Sequence, residues 1–510
     1  MRFITLLFAL SLSLSALAAE DMKKSVDGDA KVDDKETPAA QVFTSDHEIR
    51  IDGERIKYTA TAGTMLMKDD EGEPIALFGY TSYIKKGADR TERPLMFAWN
   101  GGPGSASLWL HMGVLGPQRT VVNDLQINGK GPFRRVSNNY SILDEVDLVM
   151  VDPIGTGFSH AVGEAEGKDF WGVDNDIKSV TDFIVQYTTE TGRWASPKYI
   201  LGESYGGIRG GGVSYQLLTR HSMALNGVVL VSPYMDVAGG GGVGVANLVV
   251  GYTMALSAYA STAWYHDALA DKPADLQKFL AEVDAFAIDD YLRVLVKGAR
   301  ASASERQAVA EQLGKYTGTT AEYWLAANLR VTDGQFVQEL LRSRGQLAGR
   351  IDSRFSNYTT DPRAKSMPYD PFNSAVGAPF VATFNDYYLY DLGVKMDRKY
   401  VVSGGLWRTW DRSHVHPGKD YPSAAADTGL DLAHALIMNP QMKVLVQAGY
   451  YDLATPYRAT EYFIDQLPVP DSVRANVAIE YYEAGHMMYV HPPSLTKYKK
   501  DLAAFIRITH

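Results

Sequence analysis

The segment Lys198–Gly207 (KYILGESYGG) constrains the fold of this chain more than any other stretch. Tyr199–Leu201 is a short apolar run that predicts a buried strand. The motif G-x-S-x-G follows at once, from Gly202 to Gly206, and a helical pattern comes after it. In this context the motif places its serine on a sharp strand-to-helix turn at the end of a parallel sheet. Ser204 is therefore the candidate nucleophile, and a surface serine in an ordinary tight turn is the alternative.

Apolar runs of similar length recur along the chain and alternate with helical patterns, such as the one from Asp174 to Tyr187. Alternation of this kind predicts an α/β protein with a mostly parallel central sheet flanked by helices. Shorter alternating runs between Ile49 and Tyr83 predict antiparallel strands at one edge. The runs that predict buried central strands are Leu95–Trp99, Val146–Val151, Gly227–Val231, Lys443–Gln447 and Val477–Tyr481.

The helical pattern is continuous from Asn247 to about Arg354, with no strand signal, and predicts an inserted helical cap. We therefore divide the core into a first part, residues 41–245, and a second part, residues 380–510, separated by a mainly helical cap at residues 246–379. Residues 1–18 are interpreted as a signal peptide, because an apolar run ends in an A-x-A-type cleavage site. The polar residues 19–40 are interpreted as a flexible linker.

The chain has 510 residues and no cysteine, so disulfides and thiol chemistry are excluded. A chain of this length can bury a large core without disulfides. Together with the signal peptide, this composition indicates a bacterial periplasmic or secreted protein, with no stable membrane insertion after the signal peptide is cleaved. The net charge of -10 argues against nucleic acid or an anionic membrane as a partner. The sequence does not indicate an oligomeric state.

A serine nucleophile needs a base within hydrogen-bonding reach, and the base needs an orienting carboxylate. On a sheet of this type the chain order is serine, then acid, then histidine. His486 follows a late predicted strand across a glycine-containing loop, and Asp452 follows the strand before it. His414 and His416 could form a metal pair, but the sequence shows no third ligand. We interpret their segment as a solvated loop.

The loop Asn100–Ser107 leaves the predicted strand Leu95–Trp99 and is rich in glycine. Such a loop lets backbone N–H groups approach a ligand closely. A phosphate cradle is the rival interpretation, but no Gly-Lys-Ser or Gly-Lys-Thr follows the loop.

Four separated segments share one pattern. They are Trp99–Gly104 with Leu115–Pro117, Asp152–Ser159, Gly202–Gly206, and the loops of Asp452 and Gly485–Met487. Together, in this order, they resemble the serine carboxypeptidase family of the α/β-hydrolase fold. The resemblance implies a hydrolase that releases C-terminal residues from peptide substrates through an acyl-enzyme, with no cofactor or metal. The signal peptide predicts that this hydrolase is exported.

The resemblance also implies a role for each matching residue. A glutamate beside a substrate carboxylate must share a proton with it, which fits an acidic working range. By this resemblance Ser204 is the nucleophile, Asp452 the acid and His486 the base; the N–H groups of Gly102 and Tyr205 form the oxyanion hole; and Asn100, Gly101 and Glu203 hold the substrate's terminal carboxylate.

Three positions depart from the family pattern. Val114 stands where the family usually has a second glutamate, and Ser105 stands where it usually has cysteine. Arg209 lies in a segment that also differs, and it is either an extra cation for the substrate or a surface helix residue. These departures leave open an esterase, an aminopeptidase or an acyltransferase with the same triad. A non-catalytic binding protein with this fold is the alternative from another class.

Overall fold

The computed structural model describes residues 39–127, 129–236 and 249–510, so the predicted signal peptide and nearly all of the predicted linker lie outside the described residues. Fourteen strands occur in the described part. They are β1 Val42–Ile51, β2 Glu54–Lys68, β3 Pro74–Lys85, β4 Leu95–Trp99, β5 Gln118–Thr120, β6 Arg135–Ser137, β7 Asp147–Val151, β8 His160–Ala161, β9 Lys198–Glu203, β10 Gly227–Val231, β11 Gln346–Ala348, β12 Ser356–Tyr358, β13 Lys443–Gly449 and β14 Val477–Tyr482.

Ten of these strands form one sheet in the order β1-β2-β3-β7-β4-β9-β10-β13-β14, with β8 paired to β3. The six strands from β7 to β14 in this order pair in parallel. The strands β1, β2 and β3 are antiparallel to their neighbours. The predicted mostly parallel sheet with an antiparallel edge is thereby confirmed. All the parallel strands end at the same edge, where loops from different strands meet.

Helices cover both faces of this sheet, and each face has its own apolar core. Successive residues of a strand point to opposite faces. In β9, Ile200 packs into one core while Tyr199 and Leu201 pack into the other. Burial on both sides explains why the central strands are continuous apolar runs. The α-helices of the described residues are Leu108–Leu110, Val173–Glu190, Gly206–His221, Val249–Tyr265, Leu276–Phe286, Leu292–Lys297, Ala303–Thr317, Ala321–Ala326, Asp333–Leu340, Pro371–Asp386, Gly429–Met438, Tyr457–Asp465, Asp471–Arg474 and Pro492–Thr509.

The helices between β10 and β11 enclose a third apolar core around the helix Val249–Tyr265. The mainly helical character of this region agrees with the sequence, while the boundaries of the cap at residues 246–379 stay a prediction. The expectation of no strand before Arg354 is wrong, because β11 pairs antiparallel with β12. Each of the two strands has three residues, which is too short to give a periodic signal. Within the described residues, no helix has the length and apolar character needed to cross a membrane.

Candidate active site

Ser204 occupies the turn between β9 and the helix Gly206–His221. Its φ is 60°, in the left-handed region that non-glycine residues rarely adopt. Its N–H donates to the Val231 carbonyl at 3.0 Å, and its own carbonyl accepts from the N–H groups of Gly207 and Tyr234 at 2.8 and 2.9 Å. These bonds hold the residue in a strained conformation, as is common at functional sites.

The two glycines of the motif make this turn possible. A Cβ on Gly202 would lie 2.1 Å from the Gly206 carbonyl oxygen. A Cβ on Gly206 would lie 2.8 Å from Cδ1 of Trp99. Both distances are shorter than any real contact, so the crowding expected from the sequence is present in the structure.

His486 and Asp452 lie on the loops that follow β14 and β13. Nδ1 of His486 is 2.7 Å from Oδ2 of Asp452, and the carboxylate is fully buried. Burial alone would lower the pKa of His486, but the charge and hydrogen bond of Asp452 outweigh burial and raise it. With Nδ1–H directed to the carboxylate, Nε2 is the nitrogen left to accept a proton.

Thr455 is hydrogen-bonded to both members of this pair and was not predicted from the sequence. Its hydroxyl lies 2.6 Å from Oδ2 of Asp452 and 3.0 Å from Nδ1 of His486. The backbone N–H groups of Ala454 and Thr455 donate to Oδ1 of Asp452 at 2.8 and 2.9 Å. The carboxylate is thus fixed by its own turn, and the pattern Asp-x-x-Thr after a predicted strand could have indicated this.

The loop of His486 is also held by the segment between β11 and β12. The N–H of His486 donates to the Ile351 carbonyl at 2.7 Å. A Cβ on Gly485 would lie 2.4 Å from Cα of Asp352, so the two backbones are in direct contact. The position of His486 therefore depends on residues that lie within the predicted cap.

One cavity of about 470 Å³ brings most of the predicted site residues together. Asp452 does not line it and lies behind His486. Among the described residues, the side chain of His486 is hydrogen-bonded to Asp452 and Thr455 and not to Ser204. Catalytic hydrogen bonds of this kind often tighten only when a substrate binds. The predicted residues that line the cavity are Asn100, Gly101, Gly102, Glu203, Ser204, Tyr205 and His486.

The glycine-rich loop that carries Gly102 passes close to the backbone of Tyr205. A Cβ on Gly101 would lie 2.4 Å from the amide nitrogen of Tyr205. Gly102 has a φ of 109°, which only glycine adopts without strain. In the part of the chain that the structure describes, no recorded hydrogen bond uses the N–H of Gly102 or of Tyr205. Both donors can therefore serve an oxyanion in the cavity.

Glu203 lies beside the nucleophile with its carboxyl group buried. Nδ2 of Asn100 donates to Oε1 at 2.7 Å, and the hydroxyl of Tyr489 donates to Oε2 at 2.8 Å. Burial raises the pKa of Glu203 to about 7, although both hydrogen bonds oppose the shift. Glu203 can thus exchange a proton with a ligand near neutral pH.

Tyr489 was not found from the sequence. Its ring packs against the backbone of Gly113, where an added Cβ would lie 2.3 Å from Cε2 of Tyr489. Val114, the next residue, is buried. A phenol on the loop after His486 therefore contacts Glu203 in a region where the resemblance implied a second carboxyl.

Arg209 is neither a substrate cation nor a surface residue, so both expectations are wrong. Its side chain is fully buried beneath Asn100 and does not line the cavity. Nε donates to Asp176 at 2.9 Å, and Nη1 donates to the Asn100 carbonyl at 3.0 Å. Helix periodicity could not show this, because the partner Asp176 is on another helix. The one arginine among the cavity-lining residues of the described chain is Arg350.

The solvated-loop interpretation is wrong for His414. This side chain is only 2% exposed, and its Nε2 is 2.8 Å from Oδ2 of Asp431. Its Nδ1 is hydrogen-bonded to Asp174. His416 lies beside it, and Asp431 supplies the third possible ligand that the sequence did not show.

The chain is similar in sequence to known proteins. A family model for serine carboxypeptidases matches residues 61–373. Serine carboxypeptidase-like 36 from Arabidopsis thaliana is 27% identical over 170 residues, which cover 32% of this chain and 33% of the relative. The pheromone-processing carboxypeptidase KEX1 from Yarrowia lipolytica is 28% identical over 152 residues, covering 29% and 23%. The alignments thus span a third or less of these relatives.

A solved structure extends the likeness to nearly the whole chain. The prohormone-processing carboxypeptidase from Saccharomyces cerevisiae aligns with a TM-score of 0.50 and 16% identity. The alignment covers 89% of this chain and 91% of that chain. It shows a shared fold, and the predicted α/β-hydrolase fold is confirmed.

Proposed function

Because this chain belongs to the serine carboxypeptidase family, we propose that it is an exported serine carboxypeptidase that releases C-terminal residues from peptides. The observation that carries the proposal is a single cavity lined by Ser204, His486 and the buried Glu203. The reaction requires a nucleophile, a base, and a group that can bind the free terminal carboxylate at one place.

In the proposed reaction, Oγ of Ser204 attacks the last peptide carbonyl while Nε2 of His486 accepts the hydroxyl proton. Asp452 holds Nδ1–H and stabilises the imidazolium that forms. The N–H groups of Gly102 and Tyr205 donate to the developing oxyanion. His486 then returns the proton to the leaving amine, and water hydrolyses the acyl-enzyme by the same steps.

Recognition of the free carboxylate is assigned to Glu203, with Asn100 and Gly101. Below pH 7 the Glu203 carboxyl is mostly protonated, since burial raises its pKa to about 7. A protonated carboxyl can donate a hydrogen bond to the terminal carboxylate of a peptide, whereas an ionised one repels it. Substrate binding is therefore expected to weaken as the pH rises through 7.

Export of the protein to the periplasm or the medium is part of the proposal. It is supported by the signal-peptide pattern of residues 1–18. The proposed partner is a peptide substrate, and the net charge of -10 disfavours nucleic acid.

Val114 supports a second candidate function. Val114 is buried and stands where the family usually has a second glutamate, so an esterase, aminopeptidase or acyltransferase could use the same triad. These reactions need no free terminal carboxylate on the substrate. A binding protein that keeps the fold is the remaining alternative.

An assay of the purified mature protein on an N-blocked dipeptide tests the proposal. The substrate is offered as the free acid, the C-terminal amide and the ester, between pH 4 and pH 8, with Ser204→Ala as the control. Cleavage of the free acid alone, faster in acid, is the expected result. Equal cleavage of the amide or the ester would replace the carboxypeptidase by one of the alternatives. Failure of Ser204 to react with a fluorophosphonate in a folded sample would indicate a binding protein.

A further inference from the structure

Two histidines and one carboxylate meet outside the lining of the proposed active-site cavity. Ligand atoms of His414, His416 and Asp431 all lie within 4.8 Å of one another. Bonds from zinc to nitrogen or oxygen are about 2.0–2.2 Å, so two ligands of one ion can be up to about 4 Å apart. The largest of these separations therefore exceeds the spacing that one ion requires by about 1 Å or less.

The surroundings of His414 fit those of a metal ligand. A histidine that binds a metal usually donates its other ring N–H to a carboxylate, which fixes the tautomer and the ring orientation. Asp174 is hydrogen-bonded to Nδ1 of His414, and it also accepts the N–H of Val415 at 3.0 Å. This leaves Nε2 directed at Asp431, where it is 2.8 Å from Oδ2.

His416 provides the second, independent observation. Its Nδ1 is buried, and within the described residues it has no hydrogen-bond partner. A buried polar atom without a partner costs about 1–3 kcal/mol and requires an explanation. Its ring lies perpendicular to that of His414, with centroids 4.8 Å apart. An ion pair of His414 with its two aspartates would explain His414 fully but would leave Nδ1 of His416 unexplained.

We propose that His414, His416 and Asp431 bind a divalent transition-metal ion, with Asp174 orienting His414. Imidazole and carboxylate ligands together suit zinc and its neighbours in the first transition row. The ion replaces the proton that His414 and Asp431 share, and this proton is released to solvent.

The position of the site indicates a structural role. Asp174 lies in the first turn of the helix Val173–Glu190, and Asp431 lies in the first turn of the helix Gly429–Met438. His414 and His416 lie on the segment that precedes the second of these helices. The same segment begins beside Trp410, whose Nε1 donates to the hydroxyl of Tyr205 at 2.8 Å. The ion would link this segment to the helix Gly429–Met438. The chain has no cysteine, so a disulfide cannot provide such a link.

Zinc binding by the full-length mature protein tests the proposal without relying on activity. The protein is stripped with a chelator, titrated with zinc by calorimetry, and analysed for bound metal by mass spectrometry. The variant is His416→Ala, whose side chain makes no hydrogen bond among the described residues and whose loss should not impair folding. The matched control is His434→Ala, an exposed histidine on the helix that carries Asp431.

We expect one equivalent of zinc in the native protein and in His434→Ala, together with a higher midpoint of thermal unfolding. His416→Ala should bind zinc at least tenfold more weakly and lose that stabilisation. Asp174→Asn should weaken binding by about 10- to 100-fold, as expected for a carboxylate that orients a ligand. The proposal is overturned if the native protein binds no zinc, or if His416→Ala and His434→Ala bind it equally.

Discussion

The hydroxyl of Tyr489 donates a hydrogen bond of 2.8 Å to Oε2 of Glu203. This bond joins two residues that are 286 positions apart in the chain. It stabilises the ionised form of a carboxyl whose pKa burial raises to about 7. The pH at which the proposed carboxylate site stops binding substrate therefore depends on a tyrosine outside the triad.

Replacing Tyr489 by phenylalanine should raise the pH above which the proposed carboxylate site stops binding substrate. Loss of a hydrogen bond to a charged group, worth about 1.5–3 kcal/mol, destabilises the Glu203 carboxylate and raises its pKa by about one to two units. The KM for a free-acid peptide should then begin to rise at a correspondingly higher pH. Tyr498→Phe is the matched control, because its buried hydroxyl has no partner among the described residues. An unchanged KM profile in Tyr489→Phe would contradict this role.

Replacing Glu203 by glutamine should abolish the weakening of substrate binding above pH 7. Glutamine stays neutral at every pH and can still donate an N–H to the substrate carboxylate. The KM for the free acid should therefore be nearly constant between pH 5 and pH 9, whereas in the native protein it should rise above pH 7. Steady-state kinetics over this range gives the comparison. If the variant keeps the native rise in KM, another group controls carboxylate binding.

Replacing Thr455 by valine should lower kcat by about tenfold with little change in KM. The variant loses a hydrogen bond to the buried Asp452 carboxylate, and about 1.4 kcal/mol of lost transition-state stabilisation corresponds to a tenfold rate. Thr455→Ser keeps the hydroxyl and should restore most of the rate. Equal rates for the two variants would show that the hydroxyl has no part in holding Asp452.

Replacing Arg209 by alanine should destabilise the protein by about 3–5 kcal/mol. The change leaves the buried carboxylate of Asp176 without its charged partner. Urea unfolding measures the loss, and Arg220→Ala provides the control because Arg220 is exposed on the same helix. A loss below about 1 kcal/mol would mean that water or another group compensates Asp176.

The central strands and the turn at Ser204 could be predicted because their signals are local. Strands buried on both faces must be apolar throughout, and the turn requires glycine at fixed spacing from the serine. The order of the late strands then indicated Asp452 and His486 by position alone. These parts of the architecture follow from short segments of sequence.

The residues missed by the sequence analysis depend on contacts between distant segments. Tyr489 contacts Glu203, and Asp431 contacts His414, through tertiary structure that no local pattern of sequence indicates. Arg209 has the spacing of a helix residue, and nothing local shows that Asp176 lies beside it. Whether a polar side chain is buried depends on how distant segments pack together, so it cannot be predicted from the residues next to it in sequence.

The contact of Ile351 and Asp352 with the loop of His486 has a consequence for altering specificity. In many enzymes an inserted segment can be exchanged to admit new substrates. Here a backbone carbonyl of the predicted cap, that of Ile351, accepts the N–H of the proposed base itself. An exchange of the whole predicted cap would remove a support of the proposed base together with residues that line the cavity. Grafts that keep residues 350–353 in place would separate the two effects.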